Sequence, residues 1–165
     1  MKIWGVAGWK NTGKTGLMVR LVTHFSQAGL RVATVKHAHK GFDVDIPGRD
    51  SFRHRQAGAA EVIIASPARV AQIEELADPA KEPGLDALLG RLKPADLVLI
   101  EGYKREGHPK IEAHRAEAGR GLIAPDDPSI KAVASDTAHP DLTLPVFDLD
   151  DTEAIAGFIR GELGL

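Results

Sequence analysis

Between residues 8 and 15 the chain reads Gly8-Trp9-Lys10-Asn11-Thr12-Gly13-Lys14-Thr15, a G-x-x-x-x-G-K-T spacing suited to cradling a polyphosphate. Gly8 and Gly13 let the backbone turn tightly and bring its N–H groups against phosphate oxygens with no Cβ in the way. Lys14 supplies a compact cation for β- and γ-phosphates, and the Thr15 hydroxyl can join the coordination shell of a Mg²⁺. Lys10, Asn11 and Thr12 complete the candidate cradle. A helix beginning at the same place turns its positive dipole end and unpaired N–H groups toward the anion. The motif needs a strand before it and a helix after it. Residues 2–7 read as a short buried strand, and Met18, Leu21, Val22 and Phe25 recur at helical spacing ahead of Gly29 as a stop.

A magnesium nucleotide in an open α/β sheet needs an acid at the carboxyl end of a neighbouring strand. Glu101 closes the apolar run 97–100 and takes that position. It is expected to hold the metal, directly or through a water, or to orient a water near the γ-phosphate. The second informative stretch, 36–51, comes after a strand expected at 31–36 and leaves the sheet on the same edge. Three chemistries are open there. His37 and His39 with Asp43 and Asp45 suit a transition metal. Asp45 or Asp43 suits Mg²⁺, as a second acid or as the base for a water. Lys36, Lys40, Arg49, Arg53 and Arg55 suit a further anionic group on a second substrate. Asp45 and Lys36 are the leading individual candidates. For the base, the usual N-K-x-D guanine signature is absent. Ser135-Asp136, directly after a strand ending at Ala134, offers one carboxylate to N1–H and N2–H₂ of guanine, a donor pair that adenine lacks. The alternative is that Asp136 caps a turn before His139-Pro140.

The elements that must position these groups alternate along the chain. Helices are expected at 50–57 and 85–92, and a hairpin from 61–65 and 68–73 around Ser66-Pro67. Further strands fall at 130–134 and 145–147. A last helix starts from Asp150, with Glu153 as the partner in a capping box and Ile155, Phe158, Ile159 and Leu163 as its apolar face. Residues 102–127, rich in charge, Gly and Pro, read as the most mobile segment. Such alternation implies a mostly parallel sheet with helices on both sides.

Composition narrows the rest. The 165 residues suffice for one domain, 1–165, with a substantial core. A formal net charge of −2 argues against a nucleic-acid surface, which needs clustered excess Lys and Arg. The absence of cysteine excludes disulfides, thiolate metal sites and thiol nucleophiles. The apolar stretch after Lys2 is too short for a signal peptide, and no run approaches the ~18 apolar residues of a membrane span. A soluble, cytoplasmic protein is the expectation.

Taken together the motifs resemble the molybdopterin-guanine dinucleotide biosynthesis protein B family. The resemblance spans nearly the whole chain. It rests on the 8–15 loop, Val35-Lys36-His37-Ala38-His39, Asp45-Ile46-Pro47-Gly48-Arg49-Asp50-Ser51, Arg55-Gln56-Ala57-Gly58-Ala59, Leu99-Ile100-Glu101-Gly102-Tyr103-Lys104 and Pro109-Lys110-Ile111-Glu112. It implies a three-layer P-loop NTPase-like α/β fold: a mostly parallel sheet, helices on both faces and a small β-hairpin. It further implies a Mg²⁺- and GTP-binding protein with weak GTPase activity, accessory to a separate molybdopterin guanylyltransferase, with molybdopterin as a further possible contact and a homodimer as the assembly. Some dimeric P-loop relatives carry a second lysine directly after the first glycine. Here Trp9 stands in that place and Lys10 comes after it.

Two rival readings share the loop. A small-molecule kinase would need a lid of arginines over the phosphates, for which Arg105 and the arginines within 115–120 are available. A pure adaptor would bind nucleotide without turnover.

Overall fold

The computed structural model describes residues 1–38 and 41–165. In chain order the elements are β1 (Lys2–Ala7), α1 (Lys14–Gln27), β2 (Val32–Lys36), α2 (Asp50–Gln56), β3 (Glu61–Ala65), β4 (Val70–Glu74), α3 (Leu85–Gly90), β5 (Leu97–Glu101), β6 (Lys110–His114), β7 (Ile130–Ser135), β8 (Val146–Asp148) and α4 (Thr152–Leu163). They fall into two compact units, one built from Met1–His37 with Leu88–Leu165 and the other from Ala38–Ala87.

The larger unit is a parallel sheet of six strands in the order β2-β5-β1-β6-β7-β8. From β1 the chain passes through α1 to one edge, whereas after β5 it crosses to the far side of β1. The strand order therefore reverses at β1, and the crevice at its carboxyl end is where an open α/β sheet collects ligands. The fold is P-loop NTPase-like. Trp4, Val6, Leu97, Leu99 and Ile111 present one face of the sheet to Leu17, Leu21 and Phe25 of α1 and to Ile155 and Ile159 of α4. Each such side chain contributes about 1.5–3 kcal/mol by leaving water.

The opposite face is different where β6 meets β7. There Lys110, Glu112 and His114 of β6 are buried, and they are polar. The covering segment carries two 3₁₀ turns, Ala116–Ala118 and Ala124–Asp126. Glu112 anchors it by accepting from the N–H groups of Ile123 (2.9 Å) and Ala124 (2.8 Å). Leu122, Ile123, Leu142 and Leu144 pack around Ala124, Ile130 and Val133. The stretch 102–127, expected as a mobile loop, thus contains a strand with all five residues buried. Its alternation of charge and small apolar groups hides it: Ile111 and Ala113 meet the helical face while the charged residues find partners on the other.

The last helix begins one residue later than expected. Asp151, not Asp150, is its N-cap and accepts from the Ala154 N–H at 3.0 Å. Asp150 is drawn out of that role because its own N–H donates to Asp148 Oδ1 (2.8 Å) and its carboxylate pairs with Arg20 (3.2 Å).

The smaller unit holds α2 and the antiparallel hairpin β3–β4, paired from Glu61↔Glu74 to Ala65↔Val70. No residue of α2 is buried. Its organiser is Arg55, whose guanidinium bonds to Glu75 (2.6 Å), Asp43 (2.8 Å) and Asp45 (3.4 Å). Apolar residues stay outside: Phe42 is 76% exposed, Ile63 62% and Val70 69%. Among the described residues no helix is long and apolar enough to cross a membrane.

Candidate phosphate-binding site

After β1 the backbone enters conformations that only certain residues tolerate. Gly8 has φ 141°, and a Cβ there would stand 2.4 Å from the Ala113 carbonyl oxygen and 2.6 Å from Thr12 Oγ1. Gly13 has φ 88°, with Leu149 Cδ2 at 2.9 Å and Arg115 Nε at 3.1 Å from the place of a Cβ. Asn11 adopts φ 66°, a left-handed geometry that asparagine tolerates better than most residues. The Thr12 hydroxyl donates to the Trp9 carbonyl at 2.9 Å and the Lys14 ammonium donates to the same oxygen, which closes the loop on itself. α1 starts at Lys14 with no side-chain cap and no acid in its first turn, so that its leading N–H groups are left for an external acceptor. The resulting cavity, about 270 Å³, is lined by residues 11–16 and Arg115.

On one side of β1 the pairing register sets Val6 beside Glu101 of β5 and Glu101 beside Lys36 of β2. Glu101 is 8% exposed, and its Oε1 accepts from Thr15 Oγ1 and from Lys36 Nζ, each at 3.1 Å. Burial holds Lys14 below its ordinary pKa; the charges of Lys104 and Lys36 push the same way, against the opposing pull of Glu101. A polyanion beside this ammonium would favour its charged form. Two oxygens 3.1 Å apart also fit neighbouring corners of the octahedron around Mg²⁺, whose ligands stand at roughly 2.0–2.1 Å. Among the described residues no group of three or more His, Cys, Asp or Glu side chains could hold a metal by itself. Mg²⁺ would therefore need phosphate oxygens and water to complete its shell, its usual habit.

Just beyond Glu101 the chain turns through Gly102 (φ 92°) and Tyr103 (φ 46°). A Cβ on Gly102 would lie 3.2 Å from His37 Cβ, and the His37 and Tyr103 rings stand 4.9 Å apart. His37 thus packs against this turn. His39 and Lys40, the other basic candidates there, lie outside the described residues.

The remaining candidates divide. Lys10 is exposed in the turn before Asn11. Asp136 comes directly after β7, and its Oδ1 accepts from the Ala116 N–H at 3.0 Å. Beside it Ser135, Thr137, His139, Phe147 and Asp148 line an open cavity of about 400 Å³. Asp45 belongs to the smaller unit, where its carboxylate takes the Ser51 hydroxyl and Ile46 N–H, both at 2.9 Å, as well as Arg55. Its side chain is 6% exposed and engaged on both oxygens.

Sequence reasoning places Arg115 only in a rival lid and passes over the surroundings of Trp9. The Trp9 indole donates to the Gly121 carbonyl at 2.8 Å, with Lys104 Nζ 4.0 Å from its ring centroid and Arg120 on the ring at 5.8 Å. The signal for both lies in recognising 110–114 as a strand.

Residues 3–136 match the family model of molybdopterin guanine dinucleotide synthesis protein B. The chain belongs to that family. It is 39% identical over 156 residues to the molybdopterin-guanine dinucleotide biosynthesis adapter protein of Escherichia coli, covering 93% of this chain and 88% of the relative. The adapter protein of the same description from Haemophilus influenzae is 34% identical, covering 96% and 88%. Among solved structures, the MobB protein homolog from Bacillus stearothermophilus aligns with a TM-score of 0.72 at 28% identity over 99% of both chains. A molybdopterin-guanine biosynthesis protein B aligns at 0.71 and 30% identity, covering 98% of this chain and 99% of that one.

Proposed function

We propose that the chain serves molybdopterin guanine dinucleotide biosynthesis as an adapter that binds Mg²⁺·GTP and hydrolyses it slowly. The observation that carries this reading is the row Thr15–Glu101–Lys36 beside the desolvated Lys14, at the carboxyl ends of β5 and β2 next to the strand where the sheet order reverses. Loop N–H groups and Lys14 would hold the polyphosphate. Thr15 and Glu101 would face the Mg²⁺, which supplies charge neutralisation on the β- and γ-phosphate oxygens. Glu101, relieved of the Thr15 hydroxyl, would also hold a water in line with the γ-phosphorus. Charge stabilisation of this kind speeds phosphoryl transfer with no covalent intermediate.

Across the sheet, Asp136 at the end of β7 is the candidate acceptor for guanine N1–H and N2–H₂, with its Oδ1 shared with the Ala116 N–H. Lys10, at the mouth of the loop, is a further phosphate ligand. Asp45 in its present contacts is a scaffold for the smaller unit, and service to the metal would require it to exchange Ser51 or Arg55. A molybdopterin guanylyltransferase is the protein partner, the anionic pterin a further contact, and the cytoplasm the compartment. A homodimer is supported by the hairpin: a two-stranded ribbon is marginal alone, and Ile63 and Val70 leave it 62% and 69% exposed.

Calorimetric titration with GTP and ATP, with and without Mg²⁺, tests the reading. Preference for GTP with an affinity that rises on adding Mg²⁺ is expected. Preference for ATP would move the assignment to a kinase, and no binding of either would remove it.

A further inference from the structure

The two strands flanking β1 end differently. On the β5 side the charges answer one another, Glu101 with Lys36 and Thr15. On the β6 side the first residue past the strand is Arg115. It lines the same cavity as residues 11–16, and its Nε stands 3.1 Å from where a Gly13 Cβ would be. Among the described residues that buried Nε has no hydrogen-bond partner. A guanidinium is always charged, and burying one of its N–H groups unpaired costs energy that a bound acceptor would recover.

Its position is fixed from both sides. The next residue, Ala116, is tied to Asp136 Oδ1, and the far end of the segment is tied at Gly121 by the Trp9 indole. Gly13 cannot accept a side chain without displacing Leu149 or this arginine. The segment is therefore pinned to the phosphate loop at one end and to the end of β7 at the other.

We propose that Arg115 is a polyphosphate ligand supplied from within the chain, binding oxygens of the α- and β-phosphates. This rests on the nucleotide reading above. The strand order decides which phosphates. Glu101 lies at the end of β5, on one side of β1, and Asp136 at the end of β7, on the other. A nucleotide with its metal-bound γ-phosphate at Glu101 and its base at Asp136 runs across the loop from β5 toward β7. Arg115, at the end of β6, falls between them, under the portion that di- and triphosphates share. The fork of donors suits two phosphate oxygens at once, and Asp136 links base recognition to its placement through Ala116.

Binding of GDP and GTP to the full-length protein at fixed Mg²⁺ tests this with R115A and R115K. R115A should weaken both nucleotides by roughly 10- to 100-fold, leaving their ratio as in the wild type. R115K should recover part of that loss, because it restores the charge but not the fork. The melting temperature without ligand should stay that of the wild type; if R115A fails to fold, R115K carries the test, with weaker binding of both ligands expected. Wild-type affinity in either folded variant, or a loss confined to GTP, overturns the assignment. The nucleotide reading fails separately, if the unaltered protein binds neither ligand.

Discussion

The two flanks of β1 solve the same problem in opposite ways. On the β5 flank an acid, a hydroxyl and a lysine satisfy each other, Glu101 taking Thr15 and Lys36 at 3.1 Å, so the resting site is neutralised and ready to trade a proton-bearing hydroxyl for a cation. On the β6 flank Arg115 reaches the cavity with its Nε unmatched among the described residues, as the proposed anion ligand would require. On the proposed reading, one side would receive Mg²⁺ and the other phosphate. Lys14 sits between them, desolvated and crowded by Lys104 and Lys36.

The comparison breaks most visibly at Lys14. K14A should lower affinity for GTP and GDP by roughly 100-fold or more, since a desolvated charge-assisted contact to the polyphosphate would be lost for both nucleotides. Wild-type binding in a titration would mean the loop is not the site. Because burial and neighbouring cations hold the Lys14 pKa below 10.5, affinity should also begin to fall with rising pH earlier than an ordinary lysine would allow. Next in size, E101Q separates the flanks. It should reduce the gain in GTP affinity on adding Mg²⁺ about tenfold, and leave GDP binding without metal unchanged or slightly tighter. Equal losses with and without Mg²⁺ would deny Glu101 its metal role.

The foot of β6 gives a smaller, acid-dependent effect. His108 packs against Gly5, where a Cβ would be 2.5 Å from its Nε2, and burial lowers its pKa to about 4 from 6.5. The unfolded chain therefore binds more protons between those values. Stability present above the ordinary histidine pKa is lost as pH falls toward about 4, by about 2 kcal/mol after allowing for partial exposure. Neither ring nitrogen has a hydrogen-bond partner among the described residues, so H108F should flatten this acid limb with little loss at neutral pH. Denaturant melts across pH 4–7 would read it. Smallest is D151A, which removes the N-cap of α4 and should cost about 1 kcal/mol without touching either flank's ligand binding.

The β5 flank is legible in the sequence and the β6 flank is not, for a physical reason. Leu97–Ile100 is apolar at every position because both faces of β5 are covered, and a buried run ending in an acid is easily seen. Lys110–His114 lies as deep, yet every other residue is charged or polar, because the face it turns from the helices is met by backbone N–H groups and side-chain partners instead of hydrocarbon. Composition reads that alternation as a solvated loop. With the strand hidden, Arg115 loses its place at a strand end and reads as part of a lid. The phosphate loop, α1 and the hairpin are legible because glycine spacing, helical periodicity and a Ser-Pro turn are local signals. Asp150 and Asp151 look interchangeable in sequence because the choice between them depends on Arg20, which lies far away along the chain.

A crystal structure with Mg²⁺ and a non-hydrolysable GTP analogue tests the central claim most directly. The polyphosphate should lie across residues 11–16, with the metal against Thr15 and Glu101 and the Arg115 guanidinium on α- and β-phosphate oxygens. A nucleotide bound elsewhere, or one in the loop with Arg115 turned to solvent and Glu101 still holding Lys36 and Thr15 as before, would contradict it.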